Sequence, residues 1–472
     1  MHERERSARP WLVGALTLAV AFWLLDLAAL RAGVPDPLDD TWEYGVAARH
    51  LIEGDGFRTR VIHPPLVGLM DDRATVPLLI HGPLMPILIS PILAGTESVD
   101  SASVLSAVFA VLAAWLIFRI GERRFGAAIG AAAAGLFTIA PLTLRAVHHD
   151  PSLMVGAALL LAAIDRLDGD RPMPFISGVA IGLALLARAE MLAAAIVLLV
   201  FAGRRGAIAF AVGMLIVAAP WWLHNARATG QPFFNLSSYL LIGYTPAHPG
   251  LSVLRDFNLP PAAFPAALRS ALPGLPAKWA EAFPHALKRM LLAPTGGSGW
   301  LTLIGAGLAL RSERRSFAVL MIALAMIPLA IMTLTVYDPR YITPFLPIWA
   351  LGAARGAEAL SHFLPAWGRR PRAWAGALLL IVLPSVAPAL REASREARSF
   401  ERVIGVERRS LRGFEHWPNR LILSDTPDFV AFTTGRPVVW MTEAELVAAR
   451  RDGRLPPGLR ASDRWFHDTV HE

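Results

Sequence analysis

Residues 11–30 read Trp-Leu-Val-Gly-Ala-Leu-Thr-Leu-Ala-Val-Ala-Phe-Trp-Leu-Leu-Asp-Leu-Ala-Ala-Leu, a predominantly apolar run. An α-helix rises about 1.5 Å per residue, so about 20 such residues match the hydrocarbon core of a bilayer. Arg4, Arg6 and Arg9 precede the run and no small-residue cleavage pattern follows it, which predicts a retained membrane helix rather than a signal peptide. Working outward, further apolar runs lie near 102–120, 126–145, 151–167, 173–188, 190–203, 206–223, 298–311, 316–335, 341–360 and 372–390. The expected fold is an all-α polytopic membrane protein with about eleven transmembrane helices, several of them short or interrupted by proline.

Composition agrees. Of 472 residues 54% are hydrophobic and only 17% charged, the reverse of the bias of a soluble domain. The absence of cysteine excludes a disulfide framework, thiolate metal sites and a cysteine nucleophile. The net charge of +8 does not mark a nucleic-acid surface, because the arginines sit in short clusters between apolar runs.

Those clusters fall on alternate connections: Arg4, Arg6 and Arg9; Arg119, Arg123 and Arg124; Arg166 and Arg171; Arg204 and Arg205; Arg311, Arg314 and Arg315; Arg369, Arg370 and Arg372. The positive-inside rule then puts the N-terminus in the cytoplasm and segments 31–101, 224–297 and 391–472 on the other face. Long structured outer segments and short inner turns point to chemistry on the outer face. The expected division is a membrane domain over 1–390, with outer loops 31–101 and 224–297, and a small non-cytoplasmic α/β domain over 391–472.

In the first outer loop, Thr41 to Glu53 has an amphipathic helical pattern that opens after Asp39-Asp40 and closes at Gly54. Either aspartate can cap the positive end of that helix, and a carboxylate at this interface is also suited to taking a proton from an acceptor hydroxyl. In the second loop, Ala277 to Leu292 alternates Lys278, Lys288 and Arg289 with Trp279, Phe283 and Leu287, the pattern of a helix lying in the membrane interface. The tail opens with a charged helix. It then reads strand at Leu421-Ile-Leu, helix at Asp428 to Thr434, strand at Pro437-Val-Val-Trp, and helix from Thr442, where Thr442 and Glu445 form a capping-box pattern.

Taken in order, Asp39-Asp40 with Tyr44, Ala47, Leu51 and Gly54, then His81-Gly-Pro-Leu-Met-Pro, His149-Asp150-Pro, Arg188, Pro220-Trp-Trp-Leu-His-Asn-Ala-Arg with Gly230-Gln-Pro-Phe, and Arg340-Tyr-Ile-Thr-Pro-Phe-Leu-Pro cover nearly the whole chain. This series resembles the GT-C glycosyltransferases, especially the group of protein O-mannosyltransferases and lipid A aminoarabinose transferases. The resemblance implies a polyprenyl-phosphate sugar donor, a lipid, glycan or protein acceptor, inversion at the anomeric carbon, and a first-loop aspartate as base. It also implies a bacterial cytoplasmic (inner) membrane, with the N-terminus inside and the C-terminus outside. The group usually has Glu at the second acidic position, where this chain has Asp40, so Asp39 and Asp40 both remain candidates.

The other candidates share the outer compartment. Arg340, with Tyr341 beside it, is placed to grip a carrier phosphate bidentately, or else to pair with Asp338. Arg188 and Glu190 interrupt an apolar stretch and either serve the site or neutralise each other. Asp150 and His149 are candidates for sugar or acceptor binding, the alternative being a helix cap at Asp150. A divalent cation on these two would need ligands from another loop, and no cofactor is otherwise required. Arg58, Arg60 and His63 after the first-loop helix, and His224, Asn225 and Arg227 after the seventh run, face the same compartment and complete the candidates. Asp168-Gly-Asp170 has the Asp-x-Asp pattern of nucleotide-sugar enzymes, but it lies in an inner turn with no sheet to hold a nucleotide. The competing function is a secondary transporter or flippase of lipid-linked sugars, for which matching halves with interrupted helices are expected and no internal symmetry is present.

Overall fold

The computed structural model describes residues 2–30, 39–96, 102–292, 299–311, 315–366, 368, 370–388, 391, 421–453 and 464–466; the side chains of Asp39, His148 and His149 are outside the described set. Helices dominate. They are α1 (His2–Leu30), α2 (Asp39–Glu53), α3 (Leu84–Thr96), α4 (Ala102–Phe125), α5 (Ala127–Ile139), α6 (Pro141–His149), α7 (Pro151–Leu167), α8 (Pro174–Ala187), α9 (Met191–Phe201) and α10 (Gly203–Thr229). Next come α11 (Phe264–Ala271), α12 (Leu275–Leu292), α13 (Trp300–Leu310), α14 (Arg315–Leu334), α15 (Leu346–Ser361) and α16 (Pro371–Pro388), then α17 (Pro427–Thr434) and α18 (Glu443–Arg451) in the tail.

Each apolar run expected from the sequence falls on a helix. Among the described residues, α4, α10, α14 and α16 are long and apolar enough to cross a membrane unaided, and α5 with α6, bent by 57°, meets the same test only as a pair. Helices α5 to α9 are shorter because the chain breaks where backbone chemistry requires it. Pro141, Pro151 and Pro174 lack the N–H that continues a helix and so start new ones, while Gly126 at φ 107° and Gly203 at φ 67° take left-handed turns between helices. The apolar helix α3 lies in the first loop and was not among the expected runs.

Small residues let the helices approach. A Cβ on Gly178 of α8 would lie 2.0 Å from the Phe210 carbonyl oxygen of α10, and one on Gly213 of α10 would lie 2.2 Å from the Phe175 oxygen of α8. Close backbone contact of this kind replaces the hydrophobic driving force that lipid does not supply. Outward-facing side chains are apolar, with Val200 77% and Ile208 73% exposed, which suits a hydrocarbon surround and not water. On the expected inner side, Arg123 donates to Asp165 at 2.9 Å and Arg124 pairs with Asp168, so the Asp-x-Asp aspartate is a salt-bridge partner.

Two small sheets lie beyond the bundle. β1 (Arg58–Thr59) pairs antiparallel with β3 (Val76–Pro77), within the first loop. β2 (Val61–Ile62), β4 (Ile422–Ser424), β5 (Val438–Trp440) and β6 (Arg464–Phe466) form a parallel sheet in the order β2-β5-β4-β6. Parallel neighbours need a crossover, and α17 provides it between β4 and β5. The tail's strand, helix, strand and helix match the sequence reading, and both halves of the Thr442 and Glu445 capping box are formed. The charged helix expected from about 391 falls almost wholly outside the described residues.

The new feature is β2. Val61 and Ile62 belong to the first loop, yet they pair with Val438 and Val439 of the tail. On the same side, Trp42 of α2 packs against Phe429 at 5.5 Å and Phe432 at 4.8 Å on α17. The tail and the first loop therefore share one core, and the helix that carries Asp40 is held from both sides.

Candidate active site

Helix α2 presents Asp40 and Glu43 on one face, three residues apart, into a cavity of about 390 Å³. Asp40 Oδ2 accepts from an Arg340 guanidinium nitrogen at 3.1 Å, across 300 residues of sequence. Arg340 sits in a 3-10 turn, Pro339–Phe345, whose first N–H groups are capped by Asp338. The Asp338 carboxylate also lies 3.1 Å from Arg340 Nε. In this arrangement the guanidinium spans two carboxylates at the cavity wall.

His81 stands between the acidic residues of α2. Its Nε2 is 3.1 Å from Glu43 Oε2 and 4.0 Å from Asp40 Oδ1, and its ring meets Tyr44 edge-on at 4.7 Å. The neighbouring Gly82 makes this approach feasible, because a Cβ there would be 2.1 Å from the Leu186 carbonyl oxygen at the end of α8. Two residues past that oxygen, Arg188 also lines the cavity.

Arg188 is buried and doubly compensated: one nitrogen donates to Asp150 Oδ2 at 2.6 Å and Nε bonds Glu190. Asp150 caps α7 by accepting from the Ser152 N–H at 2.9 Å and its hydroxyl at 2.5 Å. The cap expected at Asp150 is formed, and the cap residue is also the anchor of Arg188. Tyr341 lies between the two cations, its ring 5.8 Å from Arg340 and 6.0 Å from Arg188.

Electrostatics follow from these contacts. Burial raises the Asp40 pKa, but the charges of Arg340, His81 and Arg188 outweigh it, so the carboxyl ends below its usual value and is ionised at neutral pH. Glu43 is likewise lowered, burial being overcome chiefly by the His81 charge. His81 moves the other way: burial lowers it, while Glu43 and Asp40 raise it by more, to above its ordinary 6.5. The constellation is two carboxylates beside an imidazole whose protonated form they favour and two guanidinium groups.

Of the residues expected from the sequence, Asp40, His63, Arg188, Arg340 and Tyr341 line this cavity, with Asp150 directly behind. Arg58, Arg60, His224, Asn225 and Arg227 do not. Arg58 is spent on the first-loop hairpin, bonding Thr75 at 2.6 Å and Asp71 at 3.0 Å. His224 stacks on Trp221, with ring centroids 4.6 Å apart, and Arg227 is exposed at the end of α10. The expectations for Asp39 and His149 fall on side chains outside the described set. Sequence reasoning missed Glu43, whose spacing from Asp40 was a usable signal, and His81, quoted as a motif but given no role. It also missed Asp425, Asp428 and Trp440, which reach the cavity from the tail.

Both Asp150 carboxylate oxygens already accept hydrogen bonds, from Ser152 and from Arg188, and the side chain of its expected partner His149 is outside the described set. Among the described residues, the side chains that converge well enough to hold a metal are His50, Glu53 and Asp55, at the far end of α2. Their carboxylates also face Arg60 at 3.8 Å and Arg73 at 2.5 Å.

No family model matches the chain, and no curated protein matches it by sequence. Solved structures do match by shape. The archaeal oligosaccharyltransferase AglB from Archaeoglobus fulgidus, in complex with an inhibitory peptide and a dolichol-phosphate, superposes with a TM-score of 0.58 at 14% identity over 93% of this chain. This chain spans 65% of the length of that enzyme. ArnT from Cupriavidus metallidurans bound to undecaprenyl phosphate superposes with a TM-score of 0.56 at 13% identity, covering 95% of this chain and 89% of its own. The same archaeal oligosaccharyltransferase complexed with Zn and sulfate gives a TM-score of 0.55 at 15% identity, covering 92% and 62%. What is shared at such identity is the fold, and it is the GT-C fold that the ordered motifs resemble.

Proposed function

We propose that this GT-C-fold chain is an inverting glycosyltransferase that moves a sugar from a polyprenyl-phosphate carrier to a lipid, glycan or protein hydroxyl on the outer face of a membrane. The observation that carries the reading is the meeting of Asp40 and Arg340, 300 residues apart in sequence, in one cavity at the rim of the bundle. Solved neighbours of this fold hold dolichol-phosphate or undecaprenyl phosphate, which supports a lipid-phosphate donor here.

In this reading the donor phosphate takes the place of Asp40 on the Arg340 guanidinium, with Arg188 adding positive potential behind Tyr341. Cations fixed where the leaving phosphate gains charge favour the transition state over the ground state. Release from Arg340 leaves the Asp40 carboxylate ionised and able to accept the acceptor hydroxyl's proton as its oxygen attacks the anomeric carbon opposite the phosphate. His81, hydrogen-bonded to Glu43, keeps Asp40 ionised and oriented. No step needs a metal. This reading puts the N-terminus inside and the first loop and tail outside a bacterial cytoplasmic membrane, the orientation that the arginine clusters support.

The test is Asp40→Asn in purified protein with undecaprenyl-phosphate sugars. The amide keeps size but cannot accept a proton at neutral pH, so transfer should slow by roughly 100-fold or more with donor affinity retained. Turnover like that of the wild-type chain would sink the mechanism. Asp39→Ala is expected to cost about 1 kcal/mol of stability through the helix start, and Asp39→Asn little stability or rate.

A further inference from the structure

The end of the cavity away from Arg340 has its own polar apparatus, which the displacement chemistry above leaves unused. His63 lines it and is buried, yet neither ring nitrogen has a hydrogen-bond partner among the described residues; Nε2 stops 4.0 Å from Glu43 Oε2. Glu43 Oε1 is also buried and unpartnered. Orphaned buried polar atoms are costly, and those facing a cavity mark where a ligand supplies the missing bonds. Beside them stands Trp440 of β5, its ring 5.4 Å from that of His63. Its Nε1 donates to the Asp425 carbonyl at 3.1 Å, and Arg255 lies against the indole at 5.1 Å, itself held by both oxygens of Glu445 at 2.9 Å. The indole is therefore a fixed wall and not a mobile side chain.

An apolar aromatic wall next to unsatisfied imidazole and carboxylate atoms suits a molecule with C–H faces and hydroxyl edges. It does not suit a phosphate, because Arg255 at this end is already held by Glu445 and the cavity-lining cations Arg340 and Arg188 are at the other end. From Trp440 through His63, Glu43 and His81 to Asp40 the groups are contiguous, so a ring whose anomeric carbon sits at Asp40 and whose phosphate sits at Arg340 extends along this line. We infer that Trp440, His63 and Glu43 form the recognition subsite for the transferred sugar, and that the tail, by delivering Trp440 through the strand pairing of β5 with β2, selects which sugar the protein accepts. This rests on the proposed donor reading.

The experiment measures affinity of the full chain in detergent for undecaprenyl phosphate alone and for undecaprenyl phosphate carrying glucose, mannose or an aminopentose. At least one sugar-bearing lipid should bind the wild-type chain about tenfold tighter than the bare carrier. Trp440→Ala and His63→Gln should erase that difference and leave bare-carrier affinity unchanged, while Trp440→Phe, which retains an aromatic wall, should keep most of it. If the difference survives in folded Trp440→Ala and His63→Gln, or these variants change only the affinity for an acceptor, the subsite assignment is wrong and the donor reading stands. If no sugar-bearing lipid outbinds bare carrier, the assignment is likewise wrong. If the wild-type chain does not bind the bare carrier, the donor reading itself falls and takes this inference with it.

Discussion

At the scale of single residues, Arg340 makes a contact that only its own side chain can make in full. It bridges Asp40 and Asp338 with different nitrogens, and on donor binding the same fork would face two phosphate oxygens. Lysine keeps the charge as a point and loses the fork, so Arg340→Lys is expected to lose about tenfold or more in kcat/KM despite conserving charge. Near-normal turnover would place the carrier phosphate elsewhere. The pair of His81 and Glu43 makes a separate pH prediction. His81, raised above 6.5, contributes stability that is full below pH 6.5 and is lost as pH rises through its folded value. Glu43, lowered below 4.5, contributes above pH 4.5 and loses its share as pH falls through its folded value. Thermal stability in detergent should therefore decline on the alkaline side of pH 6.5, and His81→Gln should flatten that decline. A wild-type melting temperature constant from about pH 6 to 9 would show that the pair contributes nothing.

At the scale of elements, the glycines of α8 and α10 define how closely two helices pack. A Cβ at Gly178 would sit 2.0 Å from a backbone oxygen that cannot swing aside, whereas nothing lies within 4 Å of one at Gly307 on α13. Gly178→Ala should cost roughly 1–3 kcal/mol, seen as a lower melting temperature, because the helices must part. Gly307→Ala should be neutral or slightly stabilising, since alanine favours the helix. Equal effects of the two substitutions would mean that the α8–α10 contact is not held at this distance. The end of α8 also carries Arg188, so separation should reduce activity more than the stability loss alone explains. The same element-level logic shows why α2 was legible in advance. Its apolar spacing and its stop at Gly54, φ 83°, are local, and local signals survive in sequence.

At the scale of the whole molecule, the pairing of Val61 and Ile62 with Val438 and Val439 fixes the first loop and the tail on one side of the membrane. Reporters fused after His63 and after Glu472 should give the same, non-cytoplasmic signal, and one after Arg124 the opposite. A cytoplasmic tail with an outer first loop cannot form this sheet. The sequence by itself determined the apolar helices, the order of the motifs, the acidic pair Asp39-Asp40 and Arg340 as candidates, and β4, α17, β5 and α18 of the tail. All of these follow from periodicity, length or side-chain chemistry within a short window. The tertiary structure alone decided which polar residues meet. It spent Arg58 on a hairpin and His224 on a stack, enlisted Glu43 and His81, and carried Trp440 to the cavity on a strand that completes a sheet with a loop hundreds of residues away. A parallel strand pair leaves no local trace of its partner, because its register is set by hydrogen bonds between distant backbones. That is why the acidic start of the site could be read from the chain and its far wall could not.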